Sequence, residues 1–350
     1  MLVLDSIIFS LQKAGGISVY FSEILKRLQL DKLSYSVIAY KNDSKVLEEY
    51  QLSNLFPIKS HVFPLSIIRF LDVYIPSGCK VFHSSYYRLP FFYQRKNVKI
   101  VTTVHDFTYE RYIGGLSTFI HHWHKKRAIL SSDVIVCISD NTRKDLLHFI
   151  PEAATKDVRV IYNGVSDSFY PQTSSKNIKS TDKSSIIFIG SRSGYKNFKT
   201  LVLTMKRLVD KNLLIVGGGA LTDAEYTLLE NNCPERYRHL AYVSNTQLNA
   251  IYNGAFCLVY PSLYEGFGIP AVEAMKAGCP VIAANSSSLP EVCGGAAILL
   301  DIVNVNNIFE AVQSLKDVNY RQNLIFLGLA NSKRFSWDKM FQELKDIYIG

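Results

Sequence analysis

Pro261-Ser-Leu-Tyr-Glu-Gly-Phe-Gly-Ile-Pro-Ala-Val-Glu-Ala-Met-Lys-Ala-Gly-Cys-Pro-Val-Ile-Ala-Ala-Asn-Ser-Ser-Ser-Leu-Pro-Glu291 is the stretch from which the architecture is read. The apolar run before it, Ala255 to Tyr260, is too short for a globular helix and reads as a buried strand. Pro270 suits the first position of a helix, and Gly268 leaves room for a cap. Gly278 marks the end of that helix, with Pro280 just beyond it. Val281 to Ala284 then reads as the next buried strand.

This placement decides what two glutamates can do. Glu265 falls on the loop entering the helix and Glu273 in or just after its first turn. Between them lie the backbone N–H groups of Gly266, Phe267 and Gly268, followed by Ile269. A strand–loop–helix corner of this kind offers free donors and a positive dipole end to an anionic or hydroxyl-rich ligand. Carboxylates on either side accept hydrogen bonds from sugar or ribose hydroxyls. The plainer reading is that Glu273 complements the helix dipole and Glu265 is solvated. Two glutamates eight residues apart around Gly-Phe-Gly-Ile-Pro favour the ligand site.

Glu265 to Glu273 resembles the E-x7-E motif of family-4 glycosyltransferases, retaining enzymes of GT-B architecture. The longer string Pro-Ser-Leu-Tyr-Glu-Gly-Phe-Gly-Ile-Pro, with Glu-Ala-Met and Ser-Leu-Pro-Glu downstream, is similar to the branch of bacterial mannosyltransferases of O-polysaccharide synthesis. The resemblance implies an α/β fold of two Rossmann-like parallel-sheet domains facing across a cleft.

The 350 residues suffice for two domains, each with its own core, and 48% apolar residues argue against disorder. The six cysteines are scattered without a C-x-x-C pair, which points to reduced core residues of a cytosolic protein. Cys and His show no metal-ligand spacing. Met-Leu-Val-Leu-Asp at the start reads as a strand rather than a signal peptide. The longest uncharged run, His239 to Tyr264, is too rich in Asn, Ser, Thr and Gln to span a membrane.

Net charge is +9, and residues 51–100 hold seven basic side chains against one acidic. Such a surface can face anionic lipid headgroups or an anionic acceptor, or simply be solvated. No nucleic-acid motif accompanies it, so nucleic acid is not expected as a partner. A cytoplasmic protein is expected, with the inner face of the membrane as a peripheral partner.

Short apolar strands alternating with helical patterns in the first half are the mark of a parallel α/β sheet. Strands are expected at Leu2 to Ile8, Tyr35 to Tyr40, Lys80 to His83, Val98 to Val104 and Val134 to Ile138. A helical pattern runs from Val19 to Leu30, and a helix from Asn141 to Phe149 has Ser139 as its cap. Gly15 and Gly16 before the first long helix allow close backbone approach to a ligand, though a plain tight turn reads equally well. His105 and Asp106 end a strand, where ligand-facing residues of open α/β sheets lie. The family resemblance implies that the glycine loop and a histidine at this strand end approach donor and acceptor. His121-His-Trp-His-Lys-Lys-Arg127 puts His121 and His124 on one helix face without a third ligand. A basic helix with Trp123 at an interface fits it better.

Residues 1–170 are thus expected as an acceptor-side domain, 171–184 as a polar linker and 185–334 as a nucleotide-sugar-binding domain. Residues 335–350 are expected as a final helix returning to the first domain. The second domain opens on strand Ser185 to Gly190, then Arg192 and Lys196 in a glycine-containing loop suited to a diphosphate, or merely solvated. The resemblance places Arg192 and Lys196 on the donor diphosphate. Leu213 to Gly217 runs into Gly-Gly-Gly but lacks the dinucleotide fingerprint. Leu240 to Val243 is the next expected strand, and the resemblance makes Val243 a base contact.

The expected activity is transfer of a hexose, mannose from GDP-mannose being favoured, to a saccharide or lipid-linked saccharide, with retention. Glu265, His105, Lys196 and Arg192 would be the reacting-centre residues. Arg192, Lys196, Val243, Glu265 to Ile269 and Glu273 would hold the donor; Gly15, Gly16, His105 and Asp106 would face the acceptor. The sequence has no D-x-D pair, the nearest being Asp223-Ala-Glu225, so neither metal nor other cofactor is expected. A GT-B epimerase or phosphorylase, and a non-catalytic sugar-nucleotide-binding subunit, are the competing readings.

Overall fold

The computed structural model describes residues 1–55, 64–172 and 184–350. It divides into two units: Met1–Asn163 with Trp337–Gly350, and Gly164–Ser336. The stretch expected as linker falls, at 173–183, outside the described residues.

The first unit holds six strands: β1 (Leu2–Asp5), β2 (Tyr35–Ile38), β3 (Val81–Ser84), β4 (Lys99–Val104), β5 (Val134–Cys137) and β6 (Asp157–Val160). They pair in the order β2-β1-β3-β4-β5-β6, every pair parallel. The inner strands β1, β3 and β5 are buried along their whole length, which explains their continuous apolar runs. The first strand is shorter than expected. It stops at Asp5, and Ile8–Leu11 forms a helical turn instead.

The helix Gly16–Leu30 turns Tyr20, Phe21, Ile24, Leu25 and Leu28 into the core. This i, i+4, i+8 spacing is one face of a helix. Against it packs the last helix, Trp337–Ile349, burying Trp337, Met340, Phe341, Leu344, Ile347 and Tyr348. Ion pairs Arg27–Asp338 (2.7 Å) and Lys345–Asp31 (2.7 Å) fix its rim. The Tyr348 hydroxyl lies 2.7 Å from His83 Nδ1, so the end of the chain belongs to the core of the unit in which it began.

The second unit repeats the plan with β7 (Ser185–Ile189), β8 (Asn212–Val216), β9 (Tyr237–Leu240), β10 (Cys257–Tyr260), β11 (Val281–Ala284) and β12 (Ile298–Leu300). The order is β12-β11-β10-β7-β8-β9, again all parallel. Ile186, Phe188, Leu201, Ile215, Val259, Ile282 and Ile308 meet in its core. The strand expected at Leu240 to Val243 lies three residues earlier, at Tyr237–Leu240. All six cysteines are free and buried. Among the described residues no helix is long and apolar enough to cross a membrane.

Candidate functional site

In the second unit the chain winds outward from β7 to β9, then returns to the other side of β7 with β10. Loops leaving β7 and β10 therefore diverge, and a crevice opens at their carboxyl ends, where open α/β sheets bind ligands. The first of these loops carries Arg192 and Lys196; the second carries Glu265 to Gly268. The two are stitched together by Leu263 N–H to Tyr195 O (2.8 Å) and Asn197 Nδ2 to Pro261 O (3.0 Å).

At their junction Lys196 Nζ lies 2.6 Å from Glu265 Oε1, with both side chains 12% exposed. The Tyr260 phenol also hydrogen-bonds Glu265, and burial first, then the Glu265 charge, raises its pKa well above the ordinary value. It therefore stays protonated and donates. Behind Glu265 the loop after β11 grips the backbone. Ser287 Oγ accepts from Glu265 N–H (2.9 Å), and Ser288 Oγ donates to Glu265 O (2.9 Å). Gly268 follows at φ 95°, and a Cβ there would lie 2.7 Å from Leu289 Cδ2. Only glycine passes this point without strain.

The helix Ile269–Lys276 starts directly after Gly268, with Pro270 in its first turn. Glu273 is its fifth residue, half-buried. The buried Tyr252 donates to Glu273 Oε2 (3.1 Å) and to Pro270 O (3.2 Å). Each glutamate of the pair is thus oriented by its own buried tyrosine. Nothing local in the sequence ties Tyr252 or Tyr260 to that task, although both precede the motif within a strand or helix.

Arg192 and Lys196, expected side by side on a diphosphate, have different partners. Arg192 is folded onto the loop after β8. Its guanidinium donates to the carbonyls of Gly217 (2.9 Å), Gly218 (3.1 Å), Gly219 (3.2 Å) and Ala220 (2.7 Å). Its Nε donates to Glu225 Oε1 (2.8 Å), and the side chain is 4% exposed. The three glycines all have positive φ, near 73–85°, which is what lets their carbonyls converge on one cation. Val243 lies beyond the end of β9, half-buried in the loop before Ser244, which caps the helix Asn245–Gly254.

In the first unit Gly15 caps the helix that begins at Gly16, and Ser18 Oγ donates to Gly15 O (2.8 Å). His105 is buried just past β4, edge-on to Tyr20 at 5.1 Å, and among the described residues its Nε2 has no hydrogen-bond partner. Burial, against the pull of Asp106, lowers its pKa to about 4, so the ring is neutral near pH 7. Burial would raise Asp106, but Lys125 and the Thr108 amide (2.9 Å) outweigh it and hold the carboxyl below its usual range. Lys125 is itself buried, donating to Asp106 O (2.9 Å) and Glu110 Oε2 (3.0 Å). It fixes the His105–Asp106 turn from behind. A second buried pair, Asp5–Arg88 (3.2 Å), sits where β1 and β3 diverge. Sequence reading missed both pairs, because their partners are 15 and 83 residues apart.

His121 and His124 are packed among Phe70, Tyr86, Tyr87 and Tyr109, with Tyr109 stacked on His121 at 4.0 Å. Among the described residues no group of three or more His, Cys, Asp or Glu is placed to hold a metal ion.

Two family models match the chain: Glycosyltransferase Family 4 over residues 14–169 and Glycosyl transferases group 1 over residues 170–325. The chain belongs to the family-4 glycosyltransferases. This glycosyltransferase is 29% identical over 290 residues to an O-antigen chain mannosyltransferase B of Escherichia coli, covering 77% of this chain and 74% of that one. It is 27% identical over 180 residues to the O-antigen chain mannosyltransferase RfbU of Salmonella typhimurium, covering 51% and 49%. Among solved structures, sucrose-phosphate synthase from Thermosynechococcus elongatus superposes with a TM-score of 0.81 at 20% identity, over 99% of this chain and 98% of that one. HepE of Anabaena, in complex with UDP and glucose, gives 0.71 at 15% identity, over 99% and 98%. The glycosyltransferase therefore has the GT-B architecture.

Proposed function

We propose that this glycosyltransferase moves mannose from GDP-mannose, with retention at the anomeric carbon, to a saccharide or lipid-linked saccharide of a bacterial surface polysaccharide, in the cytoplasm. The observation that carries the reading is the junction of Lys196, Glu265 and the helix start Gly266–Gly268, with Glu273 behind, at the crevice of the second unit. The mannose assignment rests on the O-antigen mannosyltransferases that the chain resembles.

In this reading Glu273 holds the ribose hydroxyls, and Glu265 with the amides of Gly266, Phe267 and Gly268 holds the hexose. Lys196 exchanges Glu265 for the arriving diphosphate, which frees the carboxylate for the sugar and puts positive charge where the leaving group develops. Arg192, clamped on carbonyls, acts by holding the loop after β8 rather than by touching phosphate. Gly15, Gly16, His105 and Asp106 are the acceptor-side residues. The departing phosphate takes the acceptor's proton, so no protein base is required and neutral His105 is compatible with its place. Turnover is proposed to need no metal and to survive a chelator.

A UDP-hexose is the second reading, because HepE was solved with UDP and glucose. Thermal-shift measurements with GDP, UDP, ADP, dTDP and their sugar conjugates separate the two, since ligands stabilise the state that binds them. Selective stabilisation by GDP and GDP-mannose supports the mannose reading, and selective response to UDP replaces it. Loss of about 100- to 1,000-fold in transfer rate is expected for Glu265→Ala. A near-unchanged rate refutes the site.

A further inference from the structure

His83 lies in the middle of the first sheet, on β3, and both of its ring nitrogens are engaged. Nδ1 meets the Tyr348 hydroxyl at 2.7 Å, and Nε2 meets Thr103 Oγ1 of the neighbouring strand β4 at 2.9 Å. Thr103 Oγ1 lies in turn 3.2 Å from the Tyr20 hydroxyl. Side chains from the last helix, β3, β4 and the helix Gly16–Leu30 thus form one hydrogen-bonded chain, and none is more than 5% exposed. Burial first, and then the nearby His105, lower the His83 pKa to about 3, so its ring is neutral. A neutral imidazole donates at one nitrogen and accepts at the other. The ring therefore takes one tautomer, set by the way the Tyr348 hydroxyl points.

The chain ends against His105. Tyr20 stands edge-on to the His105 ring at 5.1 Å, and Phe21 lies 6.2 Å from it. Phe21 is also edge-on to His83 at 5.2 Å, so these two consecutive aromatic residues link the two histidines. The last helix reaches them twice: Tyr348 through His83, and Trp337 at 6.3 Å from the Tyr20 ring. Trp337 and Tyr348 are separated by about three helical turns and so share one face. Among the described residues His105 Nε2 has no hydrogen-bond partner. Its ring is therefore oriented by the aromatic edges and faces packed against it, rather than by a bond at that nitrogen.

An apolar wall would pack these rings without burying four polar groups. A satisfied hydrogen-bonded chain does more, because it fixes how each ring is rotated and excludes alternative packings. Removing one hydroxyl leaves the next partner buried and unsatisfied. Such a disturbance passes from Tyr348 through His83 and Thr103 to Tyr20, the ring that faces His105. We propose, taking His105 as the acceptor-side residue of the transfer reaction, that Tyr348 and His83 are positioning residues for it. They hold Tyr20 and Phe21, and these hold the imidazole.

Tyr348→Phe keeps the ring and removes only the hydroxyl, and circular dichroism checks that the variant is folded. Nitrogen NMR spectra of the histidine side chains at neutral pH then read the result without any ligand, with His83→Gln and His105→Ala assigning the signals. The substitution is expected to move the ring-nitrogen signals of both His83 and His105, and to leave those of His239, in the second unit, in place. Unmoved His105 signals overturn the proposal. Turnover of GDP-mannose is the second measurement. Tyr348→Phe is expected to lower kcat about three- to tenfold with donor KM unchanged. In a His105→Ala background it should lower kcat no further, because its effect runs through that ring. The same loss in that background assigns Tyr348 to packing alone and overturns the proposal. His83→Gln, whose amide can still bond Thr103, should recover part of the rate lost in His83→Leu, and equal rates in the two count against positioning. The nitrogen spectra need no donor, so a failed mannose reading leaves them to decide the matter alone.

Discussion

Lowering the pH from 7.5 to 5.5 is expected to destabilise the first unit selectively. Four of its histidines are buried with lowered pKa values: His83 to about 3, His105 to about 4, His121 to about 3 and His124 to about 4. Burial is the main cause in each. Neighbouring charge adds to it: Lys125 faces His105 and His121, and Arg127, Arg88 and Arg69 face His124, with Asp106 and Asp72 pulling the other way. Among the described residues, neither ring nitrogen of His124, nor His121 Nδ1, nor His105 Nε2, has a hydrogen-bond partner that would reward protonation.

The sign follows from proton counting. Unfolded histidine binds its proton near pH 6.5, while these four in the folded unit do not until about pH 4 or below. Between those values the unfolded state binds more protons, so stability is full above pH 6.5 and is lost as pH falls. At pH 5.5 each such histidine costs about 1.3 kcal/mol relative to pH 7.5, so four cost about 5 kcal/mol. Asp5, raised by burial against the pull of Arg88, acts in the opposite sense. A domain has roughly 5–15 kcal/mol in all, so this is a large fraction. The second unit contains one histidine, His239. Both tryptophans lie in the first unit, so tryptophan emission during guanidinium unfolding reads that unit alone. The expected result is a midpoint that falls steeply by pH 5.5 in emission, while part of the circular dichroism signal melts later. His124→Met removes one titrating group and flattens the pH dependence by about a quarter. Equal stability at the two pH values, or a slope untouched by His124→Met, refutes the reasoning.

Two further substitutions test the crevice of the second unit. Gly268→Ala places a side chain at φ 95° and drives its Cβ to 2.7 Å from Leu289 Cδ2, costing about 2–3 kcal/mol between backbone strain and overlap. Leu289→Val removes the clashing methyl, so a double-mutant cycle by urea denaturation should show about 1 kcal/mol of favourable coupling; strict additivity refutes the packing argument. Arg192→Met distinguishes a loop clamp from a phosphate ligand. As a clamp it loses hydrogen bonds from a charged donor, lowering second-unit stability by about 2–3 kcal/mol and raising donor KM more than it lowers kcat. A kcat loss of about 100-fold with unchanged stability would mean direct phosphate contact instead.

What the sequence made legible was whatever its own punctuation encloses. Val281–Ala284 was readable to the residue because Gly278 and Pro280 fence it, and the helix after Gly268 because Pro270 opens it. Strand β9 was misplaced because Tyr-Arg-His-Leu is half-buried at a sheet edge and carries charge, so no apolar run announces it. Asp5 is buried in the first sheet because Arg88, 83 residues on, neutralises it, and no local pattern foretells that. The crevice of the second unit divides along the same line. Spacing alone put Glu265 and Glu273 at one corner, but the partners that set their chemistry lie elsewhere in the chain: Lys196 is 69 residues from Glu265, and Tyr252 is 21 from Glu273. Arg192 shows what a loop read by itself leaves out. A cation in a glycine-containing turn after a strand looks ready for phosphate, yet four carbonyls 25–28 residues downstream and Glu225 claim its donors. Lys196, on the same loop, is instead ion-paired with a carboxylate of the neighbouring loop, Glu265, and lies over the rings of Tyr195 and Tyr260.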